Sequence, residues 1–274
     1  MRSGALAVPL QPFDLEPLGR ISHAVCRALK ALPPVSETLR LTDAEMRALV
    51  GAEVPDQPVP PPDAIPRLID QTLLRPDAEP EEVAELCAEA VRFGFASVCV
   101  NPRFVPLAAG MLCGTGVRVA SVVGFPLGAS ATLIKCLEAE MAIEQGAREL
   151  DMVMAIGALK GGELEETGQD IAAVVAVGHA HHTIVKVIIE TALLSPEEQV
   201  KAYLIVRRAG ADFIKTSTGY TFPARWNATS AACARWLPPG WASRPRAASA
   251  HGRIWSGWCA RGRLESARAQ ARRS

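Results

Sequence analysis

The sequence predicts an α/β fold built on a parallel sheet that closes into a barrel, and three observations carry that reading. From Leu68 onward, six short β-branched runs alternate with five helical patterns at a period of about 30 residues, the spacing of strand–helix–strand units in a parallel sheet covered by helices. No Gly-x-Gly-x-x-Gly follows the first run, which weakens the open, doubly wound, dinucleotide-binding alternative. Polar residues gather at the C-terminal ends of the runs: Asp70, Thr72, Asn101, Asp151, Lys186 and Lys215. Barrels carry their chemistry at that face.

In chain order, residues 1–54 read as an N-terminal extension, partly helical, with Ser36 or Thr42 as a helix N-cap followed by acids. Residues 55–66 form a proline-rich linker, because proline denies the backbone a donor and helical freedom. Residues 67–222 hold the repeating units. RLIDQTLL is the first strand. PEEVAELCAEAVRFG is a helix opened by Pro80 and closed by Gly94. ASVCVNP and VRVASVVGFP are strands around the helix RFVPLAAGMLCG, and ATLIKCLEAEMAIEQG is the next helix. ELDMVMAIG, TIVKVIIET and ADFIKTSTG complete the six strands, with ELEETGQDIAAVVAVGHA and SPEEQVKAYLIVRRAG as helices between them.

Composition narrows the function classes. Hydrophobic residues make up 49% of 274, enough for a sizeable core. No run of 18 apolar residues occurs and the N-terminus lacks a sustained apolar stretch, so neither a membrane span nor a secretory signal is expected. The seven cysteines are odd in number and form no Cys-x-x-Cys pair; a reducing cytoplasm fits, and neither a disulfide framework nor a zinc site is indicated. His179, His181 and His182 precede a strand, so they belong to a solvated loop at the far end of the sheet rather than to a metal site. Net charge is zero but uneven: residues 223–274 hold ten of 29 basic residues and one of 29 acidic ones.

Three charged residues stand inside apolar strands: Asp151 in ELDMVM, Lys186 in IVKVIIE and Lys215 in DFIKTSTG. An ionised side chain in a packed interior costs several kcal/mol unless paired or neutralised. Each taken singly reads as a buried ion pair or a strand end reaching solvent. Three on successive strands converge at one mouth if the sheet closes. Two neighbouring lysines disfavour each other's charge, so one can serve as a neutral amine that attacks a carbonyl. The resulting iminium withdraws electrons and eases carbon–carbon cleavage, with a nearby carboxylate relaying protons.

The motifs IDQTLLRPDA, FASVCVNPRFV, VASVVGFPLG, EAEMAIEQGARELDMVMAIGALKGG, VKVIIETALLSPEEQ and AGADFIKTSTGY together resemble the deoxyribose-phosphate aldolase family, in order and spacing, over roughly 155 residues. The resemblance implies a (β/α)8 TIM barrel that reversibly cleaves 2-deoxy-D-ribose 5-phosphate to acetaldehyde and D-glyceraldehyde 3-phosphate, in deoxyribonucleotide catabolism. It implies no cofactor or metal, a small phosphorylated sugar as partner, and a homodimer as the expected assembly. By position it makes Lys215 the Schiff-base lysine, Asp151 the proton-relay aspartate and Lys186 an electrostatic lysine lining the site. Thr218 and Gly219 match the start of the phosphate cradle. Asp70, Thr72 and Cys99 match pocket-side positions, although Cys99 also reads as a small packed hydrophobe. Gln71, Arg75 and Ala155 depart from the histidine, lysine and asparagine usual there.

After Tyr220 the family pattern stops. Residues 223–274 contain all five tryptophans, 13 alanines, ten arginines and no valine, and strands seven and eight are not recognisable. The segment reads as an aberrant, disordered tail. A one-base slip near Phe222 to Arg225 accounts for it. In the neighbouring frame, permitted codons across Trp241 to His251 spell VGVKASGGIRT, and across Arg261 to Ala271 they spell AGATRIGTSSG. Both are family motifs. The family's second catalytic lysine then overlies Arg244, whose guanidinium does not deprotonate. A basic, tryptophan-bearing arm for single-stranded nucleic acid is the lesser reading, because the slip explains the same composition.

Overall fold

The computed structural model describes residues 61–221 together with Ala44, an exposed helical residue. The remainder of the N-terminal extension, most of the linker and the 223–274 tail lie outside the described residues. The linker's last residues form two single 3-10 turns, Pro62–Ala64 and Pro66–Leu68, each begun by proline, where the missing N–H costs nothing.

Six parallel strands follow, paired in sequence order: β1 (Asp70–Leu73), β2 (Ser97–Val100), β3 (Arg118–Val123), β4 (Glu149–Val153), β5 (Ile184–Ile188) and β6 (Phe213–Lys215). The helices are α1 (Pro80–Phe93), α2 (Val105–Leu112), α3 (Thr132–Glu144), α4 (Ile156–Gly161), α5 (Leu164–Ala180) and α6 (Pro196–Arg208). Termini follow local chemistry. Glu79 and Glu82 form a reciprocal capping box at α1, and Gly94 closes that helix in the left-handed region. Ser195 and Glu198 do the same for α6, ahead of Pro196. The short helix α4 lies inside what the sequence pattern offers as the end of a strand and a loop. Its N-cap is Ala155, which supplies no side-chain cap.

The strands alternate. Val98, Val100, Val119, Leu150, Met152, Val185 and Val187 pack outward into one core with the helices. The inner face holds a much smaller apolar group, Leu74, Cys99, Ala120 and Val122. Polar and charged side chains share that face, and the charged ones reveal the curvature. Asp70 on β1 and Lys186 on β5 lie four strand spacings apart, about 19 Å in a flat sheet. Their side chains meet at 2.9 Å. The sheet therefore curls around its inner face as a barrel does, and the described residues form its six-stranded part.

Candidate active site

Register places the charged residues at staggered heights. Asp151 pairs with Lys186 across β4 and β5, and Lys215 stands one pleat further along, beside Ile188. Alternation turns all three inward. The ammonium of Lys186, fully enclosed, meets Glu149 Oε2 at 2.6 Å and Asp70 Oδ2 at 2.9 Å. It lies 3.1 Å from Asp151 Oδ1, an ion pair without hydrogen-bond alignment. Lys215, 2% exposed, donates to Asp151 Oδ2 and has no other ion-pair partner among the described residues. Cys99 Sγ sits 3.6 Å from the same Asp151 oxygen. Ser97 donates to Asp70 Oδ1 at 2.7 Å, and Arg118 reaches in from the opposite rim to Glu149 at 3.0 Å.

This arrangement fixes charge states. Burial pushes the Asp70 and Asp151 carboxyls up, but Lys186 foremost, with Lys215, pulls both below the usual carboxylate range. Burial pulls Lys186 down, yet Asp151, Asp70 and Glu149 together hold it well above the usual lysine range. Asp151 is therefore ionised and Lys186 cationic at neutral pH. The three strand charges meet in one buried ion network.

The other anticipated positions fall around it. Thr72 is buried on the inner face and bonds its own strand at Asp70 O, 2.9 Å. Thr218 is enclosed at the end of β6, with its N–H and hydroxyl both donating to Glu190, while Gly219 beside it is exposed with φ +83°. The departures Gln71 and Arg75 turn away from the charged network. Gln71 donates to Glu89 on α1, and Arg75 pairs with Glu82 at 2.6 Å. His179 and His181 bond Asp212 and Glu140, at the end of the sheet where β5 begins.

Sequence reasoning missed three residues. Glu149 is the third carboxylate on Lys186; it shares ELDMV with Asp151 at inward spacing, a signal that was available. Glu190 had no signal beyond a charge after a strand. Lys135 is fully enclosed on the helix side of the sheet, bonding Asp170 at 2.6 Å and Val153 O at 3.1 Å; its helical pattern gave no warning.

A family model described as DeoC/LacD family aldolase matches residues 67–234, running past Tyr220 where the motif resemblance stops. A deoxyribose-phosphate aldolase of Thermococcus kodakarensis is 54% identical over 158 residues, 57% of this chain and 70% of that protein. One from Caldanaerobacter subterraneus is 52% identical over 157 residues, covering 57% and 68%. Among solved structures, a tetrameric deoxyribose phosphate aldolase from Aeropyrum pernix superposes with TM-score 0.61 at 29% identity, covering 74% of this chain and 83% of that one. A protein described as QR15, an aldolase, gives 0.57 at 35% identity, covering 62% and 78%.

Proposed function

We propose that this chain, which belongs to the DeoC/LacD aldolase family, carries the machinery to cleave 2-deoxy-D-ribose 5-phosphate through an iminium at Lys215. Membership makes it a lyase of the aldolase type. The observation that carries the finer reading is the unequal company of the two inner lysines. Lys186 answers three carboxylates and stays charged. Lys215 answers Asp151 alone, and Asp151 stays ionised beside it.

In that scheme the neutral Lys215 amine adds to the open-chain aldehyde, and loss of water leaves a cationic iminium. A base removes the proton from the hydroxyl two carbons from the iminium carbon. The intervening carbon–carbon bond breaks toward the iminium nitrogen, releasing glyceraldehyde 3-phosphate and leaving an enamine. Protonation of its carbon and hydrolysis free acetaldehyde and restore the amine. In this scheme Asp151 relays protons at Lys215, while Lys186 keeps Asp151 ionised between turnovers. Gly219 and Thr218 belong to the phosphate end, and Asp70, Thr72 and Cys99 line the inner wall. A cytoplasmic homodimer is the setting proposed for it.

A second reading is favoured by the codon re-reading of 241–251 and 261–271: the chain as translated is an inactive frameshifted product. Borohydride trapping with acetaldehyde, followed by peptide mass mapping, tests the first reading. Modification at Lys215, and its loss in Lys215→Met, is expected; labelling at another lysine defeats the scheme. Restoring the frame near residues 222–225 tests the second, which predicts recovered turnover. Family-level turnover from the chain as written, its intact mass verified, would defeat it.

A further inference from the structure

Beyond the last rungs of β5 and β6 the two chain segments stay joined. Ile189 N donates to Lys215 O at 3.0 Å, and Thr191 N to Thr216 O at 2.8 Å. Between them Glu190 adopts a left-handed backbone, φ +49° and ψ +65°. Glycine and asparagine tolerate that region; a longer side chain takes it at an energetic cost and needs a reason. The side chain supplies one. Glu190 is enclosed, and its Oε2 accepts from the Thr218 N–H at 3.0 Å and from the Thr218 hydroxyl. Thr218 Oγ1 accepts from Tyr220 N–H at 3.1 Å, and the Tyr220 hydroxyl donates to Leu74 O at 2.5 Å. The Tyr220 ring also meets Phe125 edge-on at 5.4 Å. One run of bonds thus leads from the end of β5, through the turn after β6, to the end of β1 across the mouth.

We infer that Glu190 is a positioning residue whose carboxylate sets the turn from Thr216 to Tyr220, and with it the site for the substrate's phosphate end. It takes no part in the chemistry at Lys215. The phosphate half of this inference rests on the aldolase reading, whereas the turn rests on the hydrogen bonds alone.

The test uses the 274-residue chain and three variants, Glu190→Ala, Glu190→Gly and Glu190→Gln. Glycine relieves the left-handed backbone yet removes the carboxylate, so it separates the two contributions. Amide exchange at Thr218 should quicken by about tenfold in the alanine and glycine variants, the scale of one lost charge-assisted hydrogen bond. Glutamine, whose carbonyl oxygen accepts both Thr218 donors, should stay within about threefold of the unsubstituted chain on the same scale. In parallel, borohydride trapping at Lys215 is compared for 2-deoxyribose 5-phosphate and for acetaldehyde. The alanine variant should lose trapping by the phosphorylated sugar about tenfold and keep trapping by acetaldehyde. Unchanged exchange at Thr218 in either truncated variant, or equal loss with both aldehydes, overturns the inference. Absence of trapping in the unsubstituted chain defeats the aldolase reading instead, and exchange alone then decides the turn.

Discussion

Lys186 and Lys135 are both fully enclosed, yet they lie on opposite sides of the same sheet and keep different company. Lys135, on α3, answers one carboxylate, Asp170, and one carbonyl, Val153 O. Thr132 completes Asp170 at 2.9 Å, and Gly124 passes so close that an added Cβ would lie 3.0 Å from Lys135 Cε. That is a closed pair holding the ends of β3 and β4 against the helices. Lys186 instead stands among three carboxylates, with Lys215 on Asp151 and Arg118 on Glu149 as further cations. A pair that closes on itself holds a fold together. A network of unequal partners, with three carboxylates on one lysine and one on the other, is the arrangement on which the proposed chemistry at Lys215 rests.

The largest expected effect breaks the inner network. Lys186→Met removes the one cation shared by Asp70, Glu149 and Asp151, and chemical denaturation should show about 4–5 kcal/mol lost, the upper range for opening a buried ion pair. Lys135→Met should cost about 3 kcal/mol by the same measurement, because Asp170 keeps the Thr132 hydroxyl. Replacing both partners, Lys135→Met with Asp170→Leu, should recover most of that loss. The same double change in the inner network, Lys186→Met with Asp151→Leu, should not, since Asp70 and Glu149 both still lose the Lys186 ammonium. Equal recovery in both would erase the contrast.

Acid sharpens it further. Asp70 and Asp151 titrate below their ordinary values in the folded chain. Their contribution is therefore complete above the unfolded carboxylate value of about 4 and is lost as pH falls through the lowered values. Lys186 titrates above its ordinary value, so its contribution holds through neutral pH and fails only in strong alkali. The unfolding free energy should fall by about 1 kcal/mol for each such carboxylate between pH 7 and pH 3, mostly below pH 4, and should go on falling in stronger acid. A flat profile would refute the charge assignment. The smallest effect lies outside both sites: Ala155→Asn should cap α4 and raise stability by about 0.5–1 kcal/mol, read as a shift in thermal midpoint.

Much of the fold was legible. Period, Pro80 and Pro196 at helix starts, and Gly94 at a helix end set the elements to within a few residues, because these signals are local. The helix α4 escaped because Ala155 carries no cap to announce it. Lys215, Asp151 and Lys186 stood out because a charge in a β-branched run is conspicuous. Glu190 did not, since its work depends on a left-handed backbone and on Thr218, 28 residues away in sequence.

From residues alone came the alternation of strand and helix and the inward spacing of Asp151, Lys186 and Lys215, for both follow from the two-residue period of a strand. Which lysine meets three carboxylates and which meets one was decided by the curl of the sheet. That curl carries Asp70 from β1 across to Lys186 on β5, a contact no local pattern encodes.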